Sequence, residues 1–156
     1  MTTARGDQFI YVTFIRATPE RLWTALTDPA FQKQYWYGMH QTSDWKAGSP
    51  WRMVREDGQT ADAGEILESD PPRRAVIRWR NEFREELKAE GFSTCVYELE
   101  PVGEVVKLTV THSIEREKSQ LIQAVSGGWP RILSNLKTLL ETGEVLMVDR
   151  PPVKAA

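Results

Sequence analysis

Two histidines and a single cysteine are the side chains of this sequence best suited to acid–base, nucleophilic or metal chemistry. In the stretch VVKLTVTHS, His112 is the last residue of the parity shared by Val106, Leu108 and Val110, so we expect its ring to point into the core. An imidazole titrates near neutral pH and could serve as an acid, a base or a hydrogen-bond donor. The alternative is a buried histidine satisfied by Tyr97 or by a water molecule. His112 is the only catalytic candidate, and a protein without enzymatic activity is favoured.

The remaining reactive side chains, His40 and Cys95, are weaker candidates for a functional role. His40 lies in WYGMHQ, which is typical of a solvated loop, and Cys95 stands between Thr94 and Val96 in a strand pattern, as an inert core thiol would. One cysteine and two distant histidines cannot supply the closely spaced ligands of a zinc site. No glycine-rich phosphate loop is present either. The sequence therefore predicts neither a metal nor a cofactor.

The charge distribution argues against a nucleic-acid partner. Twenty Lys and Arg residues face 22 Asp and Glu residues, for a formal net charge of −2, and the two signs are mixed along the chain. Arg74, Arg78 and Arg80 share one face of a predicted strand and could bind phosphate. Glu98 and Glu100 on the predicted neighbouring strand can neutralise them.

Location and assembly are predicted from absent signals. The chain has no basic-then-apolar leader and no long apolar run, so we expect a cytoplasmic protein that does not associate with membranes. Outer strand residues such as Val76 and Val105 do not form a long apolar stripe, which favours a monomer or a weak homodimer.

Hydrophobic periodicity predicts an α+β protein. FIYVTFIRA, at residues 9–17, has apolar residues on both parities and predicts a strand covered on both faces. Two short helices follow, each beginning with an N-cap and a proline, at Thr18 and Asp28. Short strands separated by turn signals run from 42 to 112 and predict an antiparallel meander. A long helix follows and ends at Gly143. We expect a single domain over residues 1–150 and a disordered tail at 151–156.

Four stretches resemble a known superfamily: ATPERLWTALTDP, SDPPRRAVIRW, YELEPVGEVVKLTVTHS and GGWPRILSNLKTLLETGE. In this order they are similar to the START-like (SRPBCC) superfamily, and more narrowly to homologues of the activator of the ninety-kilodalton heat-shock chaperone's ATPase. The likeness covers roughly residues 9–143. It implies a helix-grip fold, in which a curved antiparallel sheet wraps a long C-terminal helix and leaves a cavity between them. Where the family has Gly-Gly before the third strand, this chain keeps Gly48 alone.

A helix-grip fold would explain the Gly-Gly-Trp-Pro sequence at 127–130, which is unusual inside a helix. Glycine and proline weaken a helix, by about 1 and 3 kcal/mol respectively, but glycine also removes bulk beneath it. We expect Pro130 either to kink the helix or to start its main segment, and Leu at Gly128 to fill the cavity or strain the core. The alternative is a plain link between two packed helices.

The predicted cavity residues are mostly aromatic or apolar: Trp36, Trp51, Met53, Ile77, Trp79, Cys95, Tyr97, His112, Gly128, Trp129 and Ile132. Ordinary core packing is the competing interpretation of these side chains.

Three functions follow as hypotheses. The first is a small-molecule-binding protein that holds a hydrophobic or aromatic ligand in this cavity. The second, implied by the resemblance, is an interaction module with a chaperone partner. Eukaryotic members carry much of that contact on a separate amino-terminal domain, for which this chain has no length. The third is a cyclase- or hydrolase-like enzyme acting on a hydrophobic substrate with His112 as acid or base.

Overall fold

A computed structural model describes residues 6–149. It is an α+β helix-grip fold, in which a curved sheet packs against a long C-terminal helix and two short helices follow the first strand. The predicted tail at 151–156 lies outside the described residues. The elements in chain order are β1 (Asp7–Ile15), α1 (Pro19–Thr27), α2 (Pro29–Tyr35), β2 (His40–Ser43), β3 (Pro50–Val54), β4 (Thr60–Asp70), β5 (Arg74–Asn81), α3 (Glu85–Lys88), β6 (Ser93–Val102), β7 (Val105–Ile114) and α4 (Gln120–Thr142).

The seven strands form one antiparallel sheet in the order β1-β7-β6-β5-β4-β3-β2. Bulges interrupt the register between Met53 and Val54 and between Ile66 and Glu68. Such bulges increase the local twist and bend a sheet around its contents. The meander predicted from the turn signals is confirmed, and it brings the inward side chains of β3, β5, β6 and β7 onto one face.

Both predicted starts of the short helices are confirmed. The Thr18 side chain accepts a hydrogen bond from the Arg21 backbone N–H, and the Asp28 carboxylate accepts one from Phe31. A proline follows each cap, where the first turn of a helix needs no donor. These caps hold α1 and α2 against one end of the sheet, which is how Trp36 reaches the core.

Strand β1 differs from the prediction that it is covered on both faces. Its burial alternates, and Ile10, Val12 and Phe14 are 52%, 44% and 48% exposed. The reason is that α4 packs against one face of β1 and leaves the face with these three residues open to solvent. We call these three residues the β1 stripe. Val76, predicted to lie on the outside, is instead buried, whereas β1 contributes three exposed apolar residues and Leu67 of β4 and Val102 of β6 one each.

Helix α4 is continuous from Gln120 to Thr142 with Pro130 inside it, so Pro130 does not start the main segment. Ser119 caps its N-terminus by accepting from the Ile122 N–H, and Gly143 ends it with a φ of 88°. The predicted stop at Gly143 is thus confirmed. One side of α4 is buried against the sheet, through Trp129, Ile132, Leu133, Leu136, Leu139 and Leu140.

The arginines of the outer sheet face are paired with carboxylates, and Glu98 is the one of the two predicted partners that forms such a pair. Arg74 Nη1 lies 3.0 Å from Glu98 Oε2, and Arg78 Nη1 lies 3.7 Å from Glu65 Oε1. These pairs are exposed and contribute little to stability, but they neutralise the positive charge of β5. No helix between residues 6 and 149 has the length and hydrophobicity needed to cross a bilayer.

Candidate functional site

An aromatic cluster fills the space between α4 and the sheet. Trp51 and Trp79 have ring centroids 4.4 Å apart, and Trp129 of α4 meets the rings of Trp36, Trp79 and Tyr97 in edge-on geometry at 5.4, 6.0 and 6.0 Å. Edge-to-face contacts at these distances are favourable beyond the buried area alone. Trp129 is only 3% exposed. The centre of the helix-grip interior is therefore packed with side chains.

His112 points inward, as predicted, and is fully buried beneath this cluster. Its partners are Ser93 and Trp129, so the expected bond to Tyr97 or water is wrong. Trp129 Nε1–H donates to His112 Nδ1 at 3.2 Å, which requires Nδ1 to be an acceptor. Ser93 Oγ lies 2.8 Å from Nε2 and already donates its hydrogen to the Trp79 carbonyl, so Nε2–H is the donor there. Both hydrogen bonds indicate the same neutral tautomer of His112, with its hydrogen on Nε2.

The surroundings of His112 keep it uncharged. Burial lowers its pKa from 6.5 to about 3. Protonation would also put a hydrogen on Nδ1 facing the indole N–H of Trp129, so two donors would oppose each other. At neutral pH the imidazole is uncharged, its Nε2–H and its Nδ1 lone pair are both hydrogen-bonded within the core, and it orients Trp129.

A cleft of about 510 Å³ opens beside the cluster, between α4 and residues of β3, β4 and β5. We call it the α4 cleft. Gly127 and Gly128 form part of its wall, and a Cβ built on either glycine would meet no other atom within 4 Å. The cleft is lined mainly by aromatic, apolar and glycine residues, with a few polar side chains among them, and includes Trp36, Met53, Trp79, Leu87, Leu121, Gly127, Gly128, Trp129 and Ile132.

The predicted site residues divide into two groups. Six of them line the α4 cleft: Trp36, Met53, Trp79, Gly128, Trp129 and Ile132. The other five lie in the packed core and do not line it: Trp51, Ile77, Cys95, Tyr97 and His112. Burial raises the pKa of the Cys95 thiol well above its usual value, which leaves the sulfur as an apolar packing group. A direct role of any of the eleven residues in ligand binding stays a prediction.

His40 does not occupy the solvated loop predicted for it. It begins β2, is partly buried and lies outside the α4 cleft. Burial, with the positive charges of Lys33 and Arg52, lowers its pKa. The residue is part of a short edge strand and not of the cleft.

The polar residues of the cleft were missed by the sequence reasoning. Asp62 of β4 is 8% exposed and lines the cleft together with Asn81, which stands opposite it in the β4–β5 register. The signal was present in TADAGEIL, because Asp62 shares its parity with Ile66, a core residue. An acid on the apolar face of a strand is an unusual and informative feature.

Asp62 has a perturbed carboxyl group. Burial raises its pKa from 3.8 to about 6, hydrogen bonds from Trp79 and Asn81 oppose that rise, and the negative charge of Glu82 adds to it. The Asn81 Nδ2 donor lies 3.0 Å from Asp62 Oδ1. At neutral pH the group is therefore mostly ionised, although it is nearly enclosed. Strongly perturbed carboxyl groups in clefts are typical of functional sites.

Comparison with known proteins identifies the family. The family model described as Activator of Hsp90 ATPase homolog 1-like protein matches residues 16–141. The chain belongs to this family. The resemblance seen in the sequence is confirmed, and the Hsp90-activator-like fold agrees with the sheet and long helix described above. No curated protein matches this member of the family with significance.

Solved structures agree with the Hsp90-activator-like assignment. CalU16 from Micromonospora echinospora has a TM-score of 0.70 at 23% identity, over 88% of this chain and 78% of its own. Protein MLL2253 from Mesorhizobium loti has a TM-score of 0.75 at 20% identity, over 89% and 100%. The Aha1 dimer from Colwellia psychrerythraea has a TM-score of 0.71 at 21% identity, over 88% and 98%. At these identities the likeness establishes the fold.

Proposed function

We propose that this protein binds a small hydrophobic or aromatic molecule in the α4 cleft. The observation that carries the proposal is the open space at Gly127 and Gly128, where an added Cβ meets no protein atom within 4 Å. Ligand pockets usually measure about 300 to 1,000 Å³, and the cleft, at about 510 Å³, falls in this range. Trp36, Trp79 and Trp129 are among its lining residues, and the parts of these rings that reach the cleft give it an apolar surface.

The two glycines support this proposal because packing does not explain them. Each glycine inside a helix costs about 1 kcal/mol relative to alanine. Such a cost is often offset where a neighbouring backbone comes too close for a side chain, but neither position in α4 has such a neighbour. The space they leave is open to a molecule from solution, and it adjoins the aromatic cluster.

The proposed activity is binding without turnover. His112, the acid–base candidate, donates through Nε2 and accepts through Nδ1 within the core, and it does not line the cleft. A binding protein of this kind needs shape, apolar surface and a few polar anchors, all of which the cleft offers. The proposal includes the cytoplasmic location that the sequence predicts, and no cofactor.

The test is a titration with Nile red, a neutral hydrophobic dye whose fluorescence rises in apolar surroundings. We expect saturable enhancement with the parent protein and at least a roughly tenfold weaker affinity for Gly128→Leu, because the leucine side chain would occupy the cleft. Gln123→Leu is the matched control, since it adds the same side chain to an exposed position of α4 outside the cleft. Equal binding by all three proteins would refute the assignment of the ligand to this cleft.

A protein-interaction role is the second candidate, and the β1 stripe favours it. Ile10, Val12 and Phe14 present adjacent apolar side chains to solvent on an edge strand, a pattern common at interaction surfaces. A relative of this fold from Plasmodium falciparum is described as an HSP90 activator, which suggests a chaperone of the Hsp90 type as the partner. The experiment is an Hsp90 ATPase assay with the parent, with Val12→Thr, and with Leu67→Thr as an exposed control on another strand. We expect the parent and Leu67→Thr to stimulate the ATPase activity and Val12→Thr to fail to do so. No stimulation by the parent would exclude this role.

The same stripe bears on self-association. The structure from Colwellia psychrerythraea is described as a dimer, and for this chain we propose a monomer or a weak homodimer. Lys137 Nζ donates to the Phe14 carbonyl at 2.7 Å, which occupies one acceptor of β1 and limits strand-to-strand pairing. Sedimentation equilibrium should show at most weak, concentration-dependent dimerisation. A tight dimer insensitive to Val12→Thr would contradict this proposal.

A further inference from the structure

Asp62 is a buried carboxylate that no cation among the described residues neutralises. Among residues 6–149 its side-chain hydrogen bonds come from Asn81 and Trp79, which are neutral donors, and no Lys, Arg or His forms an ion pair with it. The charged neighbour that affects it is Glu82, which has the same sign. A buried charge without a counter-charge destabilises a fold. Its presence in the wall of a cleft therefore points to a positively charged ligand as the missing partner.

The cations around the cleft are engaged elsewhere or lie at its rim. Arg84 lines the cleft, but its Nη2 lies 2.6 Å from Glu86 Oε2. Glu82 itself is paired with both Arg80 and Lys88. Arg131 also lines the cleft and is exposed to solvent on α4. The negative charge of Asp62 is therefore the buried charge of this site.

We propose that Asp62 is the polar anchor of the α4 cleft and that the ligand is an aromatic or hydrophobic amine, whose protonated nitrogen binds the Asp62 carboxylate. This inference rests on the proposed function and adds the charge of the ligand to it. A hydrogen bond from an ammonium group to a carboxylate is stronger than one between neutral groups.

The experiment compares three indoles that differ in charge: tryptamine, tryptophol and indoleacetate. Each is titrated by calorimetry at neutral pH into the parent protein, into Asp62→Asn and into Glu56→Gln. We expect the parent to bind tryptamine roughly tenfold more tightly than tryptophol, and indoleacetate most weakly. Asp62→Asn should bind tryptamine and tryptophol equally, because the amide keeps the shape and removes the charge. Glu56→Gln removes a carboxylate that faces the adjoining groove and not the cleft, so it should keep the preference of the parent.

The outcomes separate this inference from the proposed function. Equal affinity of the parent for tryptamine and tryptophol, with both weakened by Gly128→Leu, would leave the α4 cleft as the binding site and overturn the role of Asp62. Tightest binding of indoleacetate would overturn it too, since Arg84 and Arg131 would then govern recognition. Binding of Nile red but of none of the indoles would refute the amine ligand and keep the cleft. Binding of none of the four probes would refute both.

Discussion

The indole nitrogen of Trp129 donates a hydrogen bond to His112 Nδ1 at 3.2 Å, which links the middle of α4 to β7. The pair lies under the α4 cleft, because Trp129 forms part of the cleft wall while His112 is enclosed below it. His112 thereby helps to fix the position of one of the three tryptophans that line the cleft. The histidine can influence binding without touching a ligand.

Replacing His112 by Phe should lower the stability of the protein. The phenyl ring keeps most of the volume but cannot accept from Trp129, and an unsatisfied buried donor costs about 1 to 3 kcal/mol. Urea unfolding should show this loss for His112→Phe, and a double-mutant cycle with Trp129→Phe should show that the two losses are not additive. Equal stability of His112→Phe and the parent would mean that the bond contributes nothing measurable.

The same histidine should make the protein sensitive to acid. Its folded pKa is about 3 and its ordinary value is 6.5, so the unfolded chain takes up the proton first. The contribution of neutral His112 is fully present above about pH 6.5 and decreases as the pH falls toward 3. Stability measured across this range should decline less steeply for His112→Phe than for the parent. Parallel pH profiles would contradict the buried neutral tautomer.

The sequence allowed the fold and part of the cleft to be predicted, because both depend on local patterns. The caps at Thr18 and Asp28, the stop at Gly143 and the inward parity of His112 depend on neighbours within a few residues. The gathering of tryptophans from several elements followed from the helix-grip plan. Whether Trp129 lines an empty interior or fills it depends on the rotation of α4 against the sheet, which the spacing of apolar residues does not determine.

The parts that were missed depend on contacts between distant segments. Its shared parity with Ile66 indicates that Asp62 lies on the core side of β4, but only the register shows that it lies opposite Asn81 and Met53. The pattern of β1 predicts burial on both parities, and only the packing of the whole fold, with α4 against one face of β1, shows which parity is covered. Register and sheet order arise from the whole fold, and so a single stretch of sequence did not reveal them.

Gly128→Leu should not destabilise the protein, contrary to the strain expected from the sequence alone. A Cβ at this position meets no atom within 4 Å, and leucine is the better helix former by up to about 1 kcal/mol. Urea unfolding should give a stability equal to that of the parent or slightly higher, while binding is lost. A loss of more than about 1 kcal/mol would show that the side chain clashes and that the cleft is narrower than described.

Asp62→Asn should stabilise the protein at neutral pH. The folded pKa of Asp62, about 6, lies above the ordinary value of 3.8, so the folded state binds its proton more tightly than the unfolded chain does. The favourable contribution is fully present below about pH 3.8 and is lost as the pH rises through 6. The amide avoids that loss but keeps only one acceptor oxygen for the two donors, Asn81 and Trp79, so a gain of at most about 3 kcal/mol is expected at pH 7 and little at pH 4. Glu56→Gln, at an exposed position, should show no such dependence.

Two outcomes of the Asp62→Asn experiment can be distinguished. A gain in stability at pH 7 together with weaker tryptamine binding would mean that the parent keeps Asp62 charged for recognition at the expense of stability. No gain in stability at any pH would show that the carboxylate of the parent is already neutralised.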